Sequence, residues 1–215
     1  MPDADRFALF LAAASLLAVT PGPGLFYVAA RALAGGRAEG VASSFGTGLG
    51  GMAHVLAGGL GVSALVLASA ELFTALKLLG AAYLVWLGVR TILIARKDAA
   101  ASAGQAAAPP VGVRRAFREG VAVEALNPKT AAFFLAFVPQ FVDPAAGDVG
   151  VQFAVLGTVS VALNTLADLA VAHAAGGVRR GLAGRPGLVR RLREASGAAM
   201  IALGLGVLIA RRPTG

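Results

Sequence analysis

Two apolar stretches half a chain apart are each broken by proline, and this limits the possible folds more than any other feature. Thr20-Pro21-Gly22-Pro23-Gly24 interrupts the first stretch and Asn127-Pro128-Lys129 the second, in a chain of 215 residues. Proline has no backbone N–H and clashes with the preceding turn, so Pro21, Pro23 and Pro128 release the carbonyls of Leu17, Val19 and Glu124 from helical pairing. In hydrocarbon an unpaired carbonyl costs several kcal/mol, so such breaks persist only where they are buried in protein or line a water-filled cavity. Matched broken helices in two halves of a chain are the best sequence pointer to a substrate site within a membrane.

Hydrocarbon is the solvent that the composition calls for. Apolar residues make up 57% of the chain and charged residues 14%, against about 25% charged in ordinary soluble domains. A bilayer core needs about 20 predominantly apolar residues per helix. Six stretches qualify, at residues 7–32, 40–69, 72–95, 120–142, 149–174 and 195–210. Between the third and fourth, AASAGQAAAPPVG reads as a flexible linker. The expected fold is therefore an all-α membrane protein, one transmembrane domain over residues 1–215. Residues 1–95 form a first three-helix repeat, 96–118 the linker and 119–215 a second repeat. An odd number of spans per half makes the repeats inverted, with helices one and four broken by proline. The sixth stretch is the shortest, so a five-span topology is an alternative.

Lys and Arg crowd loops one, three and five, from Arg31 and Arg37 through Arg90, Arg96, Lys97, Arg114, Arg115 and Arg118 to Arg179, Arg180, Arg185, Arg190, Arg191 and Arg193. The opposite side holds Arg6, Lys77, Arg211 and Arg212. Positive loops stay in the cytoplasm, which places the amino terminus outside. Met1-Pro2-Asp3-Ala4-Asp5-Arg6 lacks the basic region of a cleaved signal peptide, so it is expected to begin the first span. In this topology both breaks fall at similar depth, somewhat toward the cytoplasm.

The net charge of +8 does not point to nucleic acid, because it lies in loops without base-stacking aromatics. With no Cys and only two His, thiolate zinc sites, disulfides and cysteine nucleophiles are excluded. No nucleophile–base pair or His-Glu metal motif suggests an intramembrane enzyme, and no cofactor is expected.

The chain resembles the lysine exporter (LysE) superfamily, and its RhtB-type amino-acid efflux branch in particular. In the first half the resemblance rests on Pro21-Gly22-Pro23, Gly36, Gly40, Gly46, Gly50, His54 and Gly61, then Lys77, Gly80-Ala81, Tyr83-Leu84 and Gly88. In the second half it rests on Gly120, Asn127-Pro128-Lys129, Phe133-Phe134 and Pro139-Gln140-Phe141. It implies a bacterial inner-membrane exporter of amino acids or related small zwitterions, driven by proton antiport and acting as a homodimer. Two positions depart from the pattern: Gly24 stands where the family usually has Asn or Asp, and Glu124 where Asn is common. Both bear on the substrate more than on the fold.

The residues themselves suggest how transport could work. Half-helices starting at Pro23 and Lys129 present unpaired N–H groups and positive dipole ends, which bind anions. The two breaks, Thr20, Pro21, Gly22, Pro23, Asn127, Pro128 and Lys129, are thus expected to hold a substrate carboxylate, with Tyr27 lining the cavity. Alternatively the prolines merely kink packed helices, and Asn127 caps the freed backbone. Ser160, Asn164 and Asp168 form one polar stripe at helical spacing, and an ionisable group within a span is by default a functional candidate. Asp168, Glu124, His54 and Asn164 are the proton-coupling candidates. For Asp168 the bland reading is pairing with a loop arginine such as Arg179. Glu124 could instead pair with Lys129. His54, in line with Gly46, Gly50 and Gly58, could simply be a buried histidine hydrogen-bonded across a close helix contact. Export of a cation and a non-transporting membrane scaffold are the alternative functions.

Overall fold

The computed structural model describes residues 4–68, 70–98, 109–182 and 186–209. Residues 99–108 of the expected linker, together with Ser69, Ala210, Arg211 and Arg212, lie outside them. Every regular element among the described residues is helical. In chain order these are α1 (Ala4–Val19), α2 (Pro23–Ala68), α3 (Ala70–Asp98), α4 (Val113–Ala125), α5 (Pro128–Ala132), α6 (Val149–Leu182) and α7 (Pro186–Ile209). The short α5 runs on through a π-helical turn at Phe133–Phe137 and a 3-10 turn at Val138–Phe141.

α2 is a helical hairpin. Gly36 sits at φ 79°, ψ −174°, a conformation essentially reserved for glycine, and the chain reverses there. Beyond the turn Gly40 packs on Ala32, and farther along the arms Thr47 lies beside Gly24. The reversal falls between the first two expected spans. Val149–Ala174 of α6 is long and apolar enough to cross a bilayer by itself. The α1–α2 and α4–α5 pairs qualify when each is taken across its break, and Val113–Ala125 meets Pro128–Phe141 at 41°. α4 begins before the expected fourth span because its first turns are amphipathic. Ala116, Gly120 and Glu124 face inward, whereas Arg114, Arg115 and Arg118 are exposed.

The second arm of α2 lies against both α4 and α6, and α3 packs along α7. Small residues make these contacts close. Gly46 and Gly50 rest on the backbone of α4 at Phe117 and Val121, and Gly58 meets the Phe153 ring of α6. Lipid is as apolar as leucine, so close packing of this kind holds membrane helices together in place of a hydrophobic driving force. An aromatic cluster of Phe10, Phe133, Phe134, Phe141 and Phe153 fills the centre.

The hairpin turn also anchors the end of the linker. Glu39 Oε1 accepts the N–H groups of Val111 (2.9 Å) and Gly112 (2.6 Å). Arg31, 3.9 Å from Glu39, donates to the Pro109 carbonyl at 3.2 Å. Both side chains are buried, and removing one partner of a buried pair costs about 3 kcal/mol or more. Glu39→Ala is therefore expected to lower the unfolding free energy by that much. Arg115→Ala, at the exposed Arg115–Glu119 pair (2.7 Å), should leave stability nearly unchanged, because water screens the pair. Thermal unfolding of the two purified variants in one detergent compares them.

Candidate functional site

Each proline break leaves a carbonyl without its helical partner, and in both cases a nitrogen-bearing side chain from another element takes that carbonyl. Pro21 cannot donate to Leu17, whose carbonyl accepts from Lys129 Nζ at 3.4 Å and from the Thr20 N–H at 3.1 Å. Lys129 Nζ also donates to the Thr20 carbonyl at 3.0 Å. Pro128 cannot donate to Glu124, whose carbonyl lies 2.9 Å from His54 Nε2. A carbonyl only accepts, so Nε2 carries the proton in this contact. The His54 ring also stacks on Phe134, with centroids 5.9 Å apart. The second break thus sends its lysine to the carboxyl end of α1, where the helix dipole favours a cation.

Asn127 organises the second break. Its Oδ1 caps α5 by accepting the Lys129 N–H at 3.0 Å, and its Nδ2 donates to Glu124 Oε2 at 2.9 Å. Thr130 donates to the other carboxyl oxygen, Oε1, at 2.6 Å. Across the site the Thr47 hydroxyl of α2 donates to Asp168 Oδ2 of α6 at 2.7 Å. Glu124, Asn127, Lys129, Thr130, Thr47 and Asp168 are all buried. Gly24 makes this arrangement possible, since a Cβ there would lie 2.5 Å from Glu124 Oε2.

These groups line one cavity of about 20 Å³, to which Gly24, Asn164 and Thr165 also contribute. A water molecule needs roughly 10–15 Å³ measured in this way. The cavity therefore has room for about one water and is too small for an amino acid. Asn127 and Lys129 are shared with a second cavity of about 300 Å³, lined by Pro21, Gly22, Pro23 and Pro128 and by residues of α3 and α7.

The sequence-predicted residues divide between three places. Asp168, Glu124, Asn164, Asn127 and Lys129 share the small cavity, and the prolines and Gly22 border the larger one. Thr20 is buried behind Lys129, with its hydroxyl donating to the Leu16 carbonyl at 2.5 Å. Tyr27 lines neither cavity. Its hydroxyl meets the Ala116 carbonyl (2.9 Å) and Glu119 (3.1 Å) one layer away, where α2 crosses α4. His54 lines neither cavity and reaches the site through the Glu124 carbonyl and the Phe134 ring. Of the anion-binding N–H groups expected at the second break, that of Lys129 is already held by Asn127. Sequence reasoning missed Thr47, Thr130 and the space left by Gly24. A signal for Thr47 existed, because Ser43 and Thr47 form a polar stripe on α2 like the one noted on α6.

Gly24 and Glu124 occupy each other's space, so changes at the two positions should be coupled. Gly24→Asn and Glu124→Asn are each expected to destabilise the protein. The double variant should recover part of the loss, with an interaction of about 1–3 kcal/mol. A double-mutant cycle of unfolding free energies measures it.

A sequence model of LysE-type translocators matches residues 15–211. The chain belongs to the LysE-type translocator family. An uncharacterised membrane protein of Vibrio cholerae is 29% identical over 97% of this chain and 98% of its own length. A homoserine/homoserine lactone efflux protein of Salmonella typhimurium is 29% identical over 94% of this chain and 95% of its own. A leucine efflux protein of Enterobacter is 27% identical over 71% of each. No solved structure matches the chain. As a family member the protein is a membrane translocator, not an enzyme.

Proposed function

We propose that the protein exports amino acids across the bacterial inner membrane by proton antiport. It does so through six spans arranged as two inverted repeats, with its amino terminus outside, and works as a homodimer. The observation that carries this reading is the meeting of the two helix breaks at Lys129, beside a cavity that holds two carboxyl groups, Glu124 and Asp168. The relatives named as efflux proteins for leucine and for homoserine support amino acids as the substrate class. Pairing of the second arm of α2 with α6, and of α3 with α7, matches equivalent helices of the two halves, as repeats would. The dimer rests on the family resemblance.

A zwitterion suits this site. Its carboxylate would take the Lys129 ammonium away from the α1 carbonyls, and its ammonium would sit against Glu124 and Asp168. A proton and the substrate ammonium then compete for the same carboxyl. Loading the substrate expels the proton inward, and outward release of the substrate lets another proton bind from outside. The closed cavity is the state through which both half-cycles pass.

The test is a mass-spectrometric panel of amino acids exported from cells carrying the protein, its Asp168→Asn variant at equal membrane level, or an empty vector. Selective accumulation outside the wild-type cells, lost in the variant, is the expected result. Should no amino acid move in any strain, the reading fails and cation export becomes the next hypothesis to test.

A further inference from the structure

The cavity of about 300 Å³ beside the breaks differs in chemistry from the small polar one, although the two share Asn127 and Lys129. Its remaining walls are apolar: Pro21 and Pro23 of the first break, Phe26 of α2, Leu87 and Ile94 of α3, and Met200 of α7. The polar side-chain atoms it borders are already engaged. Thr91 Oγ1 donates to the Leu87 carbonyl at 2.8 Å. Lys129 Nζ is held by Leu17 and Thr20, and Asn127 by Glu124 and the Lys129 N–H. A hydroxyl or amide bound against these walls would exchange water for the few positions that Thr91, Asn127 and Lys129 leave open, which is less favourable than burying an apolar group there. The volume lies at the lower end of the roughly 300–1,000 Å³ typical of small-ligand pockets.

We infer that this chamber receives the side chain of the exported amino acid and selects aliphatic and thioether side chains over hydroxylated ones. The inference rests on the amino-acid reading proposed above. Zwitterion recognition belongs to the Lys129, Glu124 and Asp168 side of the shared wall, and discrimination between amino acids belongs to the α3–α7 side. Thr91 and Leu87, one turn apart on α3, set the room available.

The test is counterflow into vesicles of phosphatidylethanolamine and phosphatidylglycerol containing the full chain, with alanine, leucine, methionine, phenylalanine, threonine and homoserine compared. Leucine and methionine are expected to be taken up about 10-fold or more better than threonine and homoserine, the scale of discrimination for small changes in an apolar pocket. Thr91→Phe, which fills the chamber, should lower the leucine-to-alanine ratio by about 10-fold. Leu87→Ala, which enlarges it, should raise the phenylalanine-to-leucine ratio. If the parent protein prefers threonine or homoserine, or if neither variant changes the ratios, the chamber does not select substrate and the inference falls while amino-acid export stands. If the parent moves no amino acid, both fall.

Discussion

Lys129→Met is expected to reduce transport in reconstituted vesicles to that of protein-free vesicles and to lower thermal stability as well. The ammonium holds the Leu17 and Thr20 carbonyls at the end of α1. Losing it leaves the Thr20 carbonyl without that donor, at about 1–3 kcal/mol, while the Leu17 carbonyl keeps the Thr20 N–H. It also removes the cation proposed to hold the substrate carboxylate. Two readouts separate these roles: unfolding reports the carbonyls, and uptake at a temperature where the variant is folded reports the substrate. Gly22→Ala crowds the same ammonium, since its Cβ would lie 2.9 Å from Nζ, and should show the transport defect in weaker form. Wild-type transport by a folded Lys129→Met protein would remove Lys129 from the site.

Asp168→Asn should separate exchange from coupling. The asparagine keeps the shape of the side chain, and its Oδ1 can still accept from the Thr47 hydroxyl that now bonds Asp168 at 2.7 Å. Export by the wild type is expected to rise as the outside becomes more acidic than the inside, because a proton must move inward for each substrate released. The variant should still exchange labelled for unlabelled substrate at equal pH but lose its response to the gradient. Glu124→Gln is a harsher change. A carboxylate accepts from both Asn127 Nδ2 and Thr130 Oγ1, and an amide sets an N–H group against one of those donors. That variant should lose exchange and coupling together. A steep gradient response retained by Asp168→Asn would assign the proton to another group.

The parts of this architecture that obey local rules were legible in the sequence. Proline sterics announce a helix end whatever surrounds it, so the ends of α1 and α4 followed from Pro21 and Pro128. The polar stripe on α6 followed from helical spacing, and it led to Asp168 and Asn164. Long-range contacts gave no such signal. That Lys129 would cap α1 and not contact a carboxylate depends on how the two halves approach each other. The same holds for His54, which answers the carbonyl that Pro128 frees. Tyr27 looked like a cavity residue because it lies one helical turn past the first break, yet the hairpin turn at Gly36 and the crossing of α4 direct it to Glu119. At Gly24 the sequence by itself shows only the loss of the Asn or Asp usual in the family. The absent side chain leaves room for the Glu124 carboxyl, which only the packed structure reveals.

The central claim is that an amino acid and a proton move in opposite directions through the cavity where the two breaks meet. Its most direct test is amino-acid-dependent proton flux, followed with a pH-sensitive dye sealed inside vesicles that contain the purified protein. Adding a transported amino acid outside vesicles at uniform pH should make the interior more alkaline as protons leave in exchange, and Glu124→Gln vesicles should show no change. If the amino acid enters with no proton flux, or if the Glu124→Gln protein gives the wild-type signal, the account is contradicted.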